Sequence, residues 1–203
     1  MLNRRIPTVW LLLVLGLWGA WQAWQQRRVP TSPGSVAPDP PLQTALGSDA
    51  DASFEARGWT LKPLAAFTLQ ARVLSRENYR FDAIASLVPT DLALGWGRMS
   101  DSAVLDQIEI SQRGRFFYWR VRQFPIPERE IIVSAANMHL IPADDAVADT
   151  LAAVRVGQVI GLRGRLVEAR APNGLTMRSS LRRDDSGAGA CELIWVEALE
   201  VLQ

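Results

Sequence analysis

From Ile6 to Trp24 the chain reads IPTVWLLLVLGLWGAWQAW, 19 residues without a formal charge. A helix of that length reaches about 28 Å, close to the ~30 Å hydrocarbon core of a bilayer. Trp10 stands near one end, and Trp18, Trp21 and Trp24 cluster at the other, where indole rings favour the headgroup zone. Arg4 and Arg5 precede the run and Arg27 and Arg28 follow it. The pattern predicts a single membrane anchor. The rival is a cleaved signal peptide, which needs small side chains at the last residue and two before it. Cutting after Ala20 or Ala23 puts Trp18 or Trp21 at that second position, so the anchor is preferred. The flanking arginines nearly cancel as an orientation signal. A short front tail, residues 1–5, with a large trailing domain is the usual form of an exported anchor. It places the chain in the inner (cytoplasmic) membrane as a single-pass protein with its C-terminal domain outside the cytoplasm.

Residues 25–52 lose the apolar rhythm. Pro30, Pro33, Pro38, Pro40 and Pro41 are five of the twelve prolines, separated by small and polar residues. Such a segment predicts an extended tether that holds the following domain off the membrane. Residues 53–203 then read as one globular, β-rich domain.

Within it, Phe67, Leu69, Ala71 and Val73 alternate with Thr68, Gln70 and Arg72, the period of a half-buried strand. Arg80 to Leu94 is ambiguous and is interrupted at Pro89-Thr90-Asp91. Ser100-Asp101 predicts the start of a short helix through Gln107. Ile108 to Arg122 predicts a hairpin turning at Gln112-Arg113-Gly114, with Phe117, Trp119 and Val121 on one face. Glu130 to Ile141 is strand-like. Asp144 or Asp145 predicts the cap of a helix through Val154, with Val147, Leu151 and Val154 at helical spacing. The clearest strand is Gly157 to Ala169, where Gly161 and Gly164 permit coiling. Pro172-Asn173-Gly174 predicts a turn, Leu175 to Leu181 a return strand, and Cys191 to Leu202 a closing strand.

The expected fold class is therefore an N-terminal transmembrane helix followed by an α+β, mainly β domain with one or two short helices. Its coiled strands around one helix, over residues 60–75 and 137–202, resemble a small barrel of the oligonucleotide/oligosaccharide-binding (OB) type. A curved antiparallel sheet is the alternative.

Composition sharpens this picture in three ways. The formal net charge is +1, but without the residues before 51 the chain holds 18 basic and 19 acidic residues. The domain is thus not globally basic, which counts against nucleic acid as its partner. Lys62 is the single lysine among 22 basic residues, a bias attributable to genomic base composition. Cys191 is the single cysteine, so no intrachain disulfide supports the fold.

Three tracts, Pro89-Thr90-Asp91-Leu92-Ala93-Leu94-Gly95-Trp96-Gly97, Asn137-Met138-His139-Leu140-Ile141-Pro142 and Arg183-Asp184-Asp185-Ser186-Gly187-Ala188-Gly189-Ala190-Cys191-Glu192, resemble those of an uncharacterised group of bacterial membrane-anchored envelope proteins. The resemblance spans most of the domain. It implies a bacterial origin and an envelope location, and implies no activity.

Two sets of residues carry candidate chemistry. His139 and Cys191 are each unique, and a thiolate nucleophile needs a neighbouring base or cation, most often a histidine. A lone Cys entering an apolar strand is usually buried and inert, and a lone His beside Met138 and Leu140 is more often a packed residue with one hydrogen bond. One His and one Cys leave zinc short of ligands, so no metal site and no cofactor is expected. The second set is cationic. Residues 155–183 hold seven arginines against one acid, Glu168. Arg163, Arg165, Arg178, Arg182 and Arg183, with Asp184 and Asp185 in the following loop and Trp96 and Trp119 as stacking surfaces, form the candidate binding set. The bland alternative is the polar face of an amphipathic hairpin, balanced by Glu192, Glu197 and Glu200.

With no complete catalytic set, the expected function is a non-enzymatic, membrane-tethered binding domain of the envelope. Its partner would be an envelope protein, a glycan or an anionic lipid. A thiol-dependent hydrolase or transferase using Cys191 and His139 is the alternative. An OB domain binding nucleic acid would require a cytoplasmic location.

Overall fold

The computed structural model describes residues 10, 12–13, 16–17, 19, 29–31, 33–47, 52–182, 184–185, 187 and 189–203. The expected anchor Ile6–Trp24 lies largely outside the described residues. Among the described residues no helix is long and apolar enough to cross a membrane.

The fold is mainly β, with a curved sheet and a few short helices. Ten strands are described: β1 (Leu42–Thr44), β2 (Phe54–Ala56), β3 (Trp59–Asn78), β4 (Thr90–Gly95), β5 (Ile108–Arg113), β6 (Phe116–Val121), β7 (Ala135–Pro142), β8 (Val159–Arg170), β9 (Thr176–Arg178) and β10 (Glu192–Val201). Five of them close a ring, β3-β4-β7-β10-β8 and back to β3. Every pairing in the ring is antiparallel except β7 with β10. The strand expected at Ala66–Ser75 is the middle of the 20-residue β3. Its first part pairs with β8 and its last part with β4. Register shifts at Pro63/Ala65 and Val73/Ser75 bend it between those two neighbours, a strand-interior proline being tolerated where a bulge relieves the ladder. Gly164 permits the tight coil of β8, because a Cβ there would collide with the Trp195 carbonyl oxygen.

Three α-helices and one 3-10 turn interrupt the strands: Gly97–Ser100 (3-10), α1 (Ser102–Leu105), α2 (Glu128–Val133) and α3 (Asp145–Ala153). One or two short helices were expected. The additional one is α2, inside the stretch read as a strand from Glu130. Pro127 starts it, and the apolar strand residues begin only at Ala135. Asp144 caps α3 by accepting from Val147 N at 2.8 Å. Val147, Leu151 and Val154 close one end of the ring against Leu140, Ile160 and Leu69. Arg76 ties the helix end to β3, donating to the carbonyls of Ala152 and Val154 at 2.9 and 2.7 Å. The hairpin turns one residue later than its sequence suggests, at Gly114-Arg115, with Phe117, Trp119 and Val121 sharing a face as expected.

The proline-rich stretch also behaves differently from a free spacer. Val29 N donates to Val156 O at 2.7 Å, Ala37 N to Ser100 Oγ at 3.1 Å, and Gly97 N to Ala37 O at 2.8 Å. Gly34 N donates to Asp101 Oδ1 at 2.9 Å, and Ala37 is fully buried. Leu42–Thr44 then adds a strand to the free side of β3. Prolines cannot continue a ladder, but the donors and acceptors between them dock as a strap where β4 has already ended.

Candidate functional site

Alternation along β4, β7 and β10 sorts the residues into two faces. Leu92, Leu94, Met138, Leu140, Ile194 and Val196 fill the ring. Asp91, Ala93, Asn137, His139 and Leu193 face outward. Outside the ring they meet two smaller apolar clusters, one around Leu87, Ile141 and Leu193, the other around Ala93, Met99 and Ile131. Between those clusters lies a buried polar group.

Asp91 and His139 are direct cross-strand partners. His139 Nδ1 lies 2.9 Å from Asp91 Oδ1, with side chains 8% and 0% exposed. That separation is a hydrogen-bond length, but the ring N–H is not aligned along it, so the contact is electrostatic. The same Oδ1 accepts from Arg115 Nη1 at 2.9 Å, while Asp91 Oδ2 is buried without a partner. Cys191 stands one residue before β10. Because β10 runs parallel to β7 with Glu192 opposite Met138, Cys191 comes beside Asn137 and His139. Its Sγ lies 4.0 Å from Asn137 Nδ2, and its thiol donates to the Arg115 carbonyl oxygen at 3.9 Å.

The ring of His139 has its pKa pushed up to about 9. Burial alone would lower it, but the Asp91 carboxylate on one side and Cys191 on the other raise it further than burial takes it down. His139 is therefore a cation at neutral pH.

Arg115 holds the arrangement together from the hairpin. It sits at φ 73° beside Gly114 at φ 61°, the pair of positive angles a two-residue hairpin turn requires. A non-glycine residue there costs on the order of 1–2 kcal/mol, and its contacts offset that cost. Its guanidinium binds Asp82 through Nε and Nη2 at 3.0 and 2.9 Å, donates to Val88 O at 3.0 Å, and lies 3.6 Å over the Tyr79 ring. Its backbone N–H donates to Tyr79 Oη at 3.0 Å, and its carbonyl accepts from Asn137 Nδ2 at 2.9 Å. Asp82 is held below the usual carboxylate range. Partial burial raises it, and the Arg115 hydrogen bonds lower it more. The hairpin is thus latched onto the outer face of the ring.

Under the hairpin is a cavity of about 150 Å³. Its wall includes Trp96, Phe116, Phe117, Trp119 and Asn137, with Cys191 beside them. Trp96 is also buried in the ring core, and Trp119 packs edge-on against Phe124 with ring centroids 6.1 Å apart. Asp185 reaches the same cavity and accepts from Ser180 Oγ at 2.5 Å.

The candidate arginines are placed elsewhere. Arg163 and Arg165 both pair with Glu197, at 3.3 and 2.7 Å. Arg178 pairs with Glu168 across β8–β9, and Arg182 pairs with Asp184 at 3.0 Å. Arg183 lies outside the described residues. The structure therefore gathers Cys191, Trp96, Trp119 and Asp185 around one cavity, keeps His139 buried against Asp91, and leaves Arg163, Arg165, Arg178, Arg182 and Asp184 in ion pairs on the surface. Among the described residues no cluster of His, Cys, Asp and Glu is arranged to hold a metal. Asp91, Asn137 and Arg115 were not foreseen. The available signal was an acid inside an apolar run, Leu87 to Leu94, read instead as a break at Pro89.

No family model, no curated protein and no solved structure matches this chain.

Proposed function

We propose that the chain is a membrane-tethered binding domain of the bacterial envelope, with an OB-like barrel and a ligand seat in the cavity beneath the hairpin. The observation that carries this reading is the cavity itself. It is walled by four aromatic side chains and by Ala135, Ala136 and Asn137 at the start of β7. The ring order, with α3 between its third and fourth strands and one parallel pairing, supports the OB-like assignment. In barrels of that kind the outer face of the second and third strands binds the ligand. An aromatic wall suits an apolar or ring-shaped group of a glycan, lipid or protein partner.

The arginine run contributes little to this reading, because Arg178 and Arg182 each pair with a carboxylate, Arg163 and Arg165 share Glu197, and none of the four lines the cavity. With Ile6–Trp24 as the anchor, only residues 25–28 separate it from Val29, which is docked on Val156. Five residue steps span at most about 18 Å. The barrel is then held close against the bilayer rather than on a long stalk.

The test uses the full chain in detergent with an apolar environment-sensitive dye. Saturable binding that Ala190→Trp abolishes is expected, since Ala190 lines the cavity at a half-buried position. Binding that is absent, or unaffected by Ala190→Trp, counts against the seat. Topology reporters fused after Gln203 that report from the cytoplasm would overturn the envelope location.

A further inference from the structure

We infer that the free edge of β6 takes up an extended peptide segment of a protein partner as an added strand, with one apolar side chain of that segment filling the cavity. The inference rests on the cavity being a ligand seat and adds the class of its ligand, a peptide held by its backbone.

The pairing of the hairpin identifies the open backbone groups. Its two-residue turn at Gly114-Arg115 makes Arg113 and Phe116 a hydrogen-bonded pair, and the pattern repeats at Ser111 with Tyr118 and at Glu109 with Arg120. The N–H and C=O groups of Phe117, Trp119 and Val121 therefore point away from β5. β6 pairs with β5 alone. Among the described residues these outward groups meet no backbone or side-chain partner. Backbone donors and acceptors are strong, obligatory hydrogen-bonding groups. A row of them, two residues apart, is a template that an extended chain completes.

The cavity runs along the same strand. Successive strand residues point to opposite faces, yet Phe116 and Phe117 both line the cavity, and Trp119 continues the wall. A cavity reached from both faces of a strand borders its edge. The facing wall is Ala135, Ala136 and Asn137, small or polar residues that precede Met138, where β10 begins to pair with β7. The volume of about 150 Å³ suits one side chain, since a dry apolar cavity of roughly that size accommodates benzene.

Charge narrows the partner further. Arg120 and Arg122 are exposed at the far end of β6, and among the described residues neither pairs with a carboxylate. Glu109 stands across from Arg120 in the hairpin without an ion pair to it. A segment with a carboxylate flanking its apolar residue complements this edge.

The experiment titrates the full chain in detergent with a labelled, blocked heptapeptide, Glu-Thr-Val-Leu-Val-Thr-Glu, read by fluorescence anisotropy. Dye binding is measured on the same samples. Two further peptides carry backbone N-methyl groups, one on the leucine and both threonines, the other on both valines. Successive N–H groups of an extended chain point to opposite edges, so only one of the two sets faces β6. Saturable binding is expected, weakened roughly tenfold or more by one methylated set and little changed by the other. Loss with the leucine set marks an antiparallel added strand, and loss with the valine set a parallel one. Exchanging the leucine for glycine weakens binding by a similar factor, and Arg120→Glu weakens it severalfold. Binding that both methylated sets spare, or that both abolish, overturns strand addition, as does binding indifferent to the leucine. Dye binding without peptide binding overturns this inference alone, and failure of both removes the seat. Dimerisation in sedimentation that excludes the peptide assigns the edge to a second copy of the chain and also overturns the proposal.

Discussion

The two faces of β4 and β7 are built from alternate residues of the same strands and obey different rules. Inward, Leu92, Leu94, Met138 and Leu140 are fully buried in a continuous apolar cluster. Outward, Asp91, Asn137 and His139 are almost as deeply buried, but as charges and amides. The inner face gains stability from area and close packing, without direction. The outer face is stable only while each charge keeps its partner, because an uncompensated buried ion is costly. Low exposure thus means bulk packing on one face and a set of interlocked obligations on the other.

Breaking the outer set at its hub gives the largest effect. Arg115→Ala strands Asp91 without its guanidinium and leaves the hairpin unlatched. Unfolding by urea should show a loss of about 3–5 kcal/mol, part of it recovered in Arg115→Ala/Asp91→Ala. No recovery in the double variant would mean that Arg115 acts through the turn rather than through the charge.

On the inner face, Leu140→Ala should cost about 2–5 kcal/mol by transfer and cavity formation. Its loss should be the same at pH 6 and pH 9.5. A pH-dependent loss would show that the two faces are coupled through β7.

The outer face must titrate. His139 is raised from 6.5 to about 9 in the folded protein. Its stabilisation is therefore complete below pH 6.5, falls as the pH rises through about 9, and is absent above that. The span corresponds to something on the order of 3 kcal/mol. Denaturation midpoints at pH 6 and 9.5 measure it, and Asp91→Asn should flatten the profile by removing the charge that raises the ring.

The smallest effect belongs to the solvated ion pairs. Arg163 is 64% exposed against Glu197. Arg163→Ala should move stability by less than about 0.5 kcal/mol. A loss of anionic-lipid or glycan binding in this variant, with stability intact, would return the arginine run to the centre of the functional reading.

Much of the scaffold was legible in the sequence because it depends on local periodicity. Alternation marked the strand over Ala66–Ser75 and the one from Gly157, Asp144 marked the start of α3, and Cys191–Leu202 was correctly assigned to a closing strand. The stretch from Glu130 was misread because Ile131, Ile132 and Val133 have the composition of a strand, while Pro127 and the acidic first turn start a helix. The strap was hidden for a different reason. Its composition excludes a core of its own, but says nothing about hydrogen bonds to Gly97, Ser100 and Asp101 of a distant segment.

The sequence by itself determined that an uncharged span of anchor length precedes a β-rich domain, and that one thiol and one imidazole are all the chain has of those groups. Pattern and composition are local properties, so they survive without coordinates. Only the tertiary structure decided that these two groups come to the same face of neighbouring strands. Asp91 and His139 are 48 residues apart, and His139 and Cys191 a further 52. They are joined by the register of β4 against β7 and by the parallel alignment of β10. Arg115 reaches Asp91 because a hairpin outside the ring folds back onto it. Register and closure arise from cooperative pairing of remote segments, and no window of the sequence contains them.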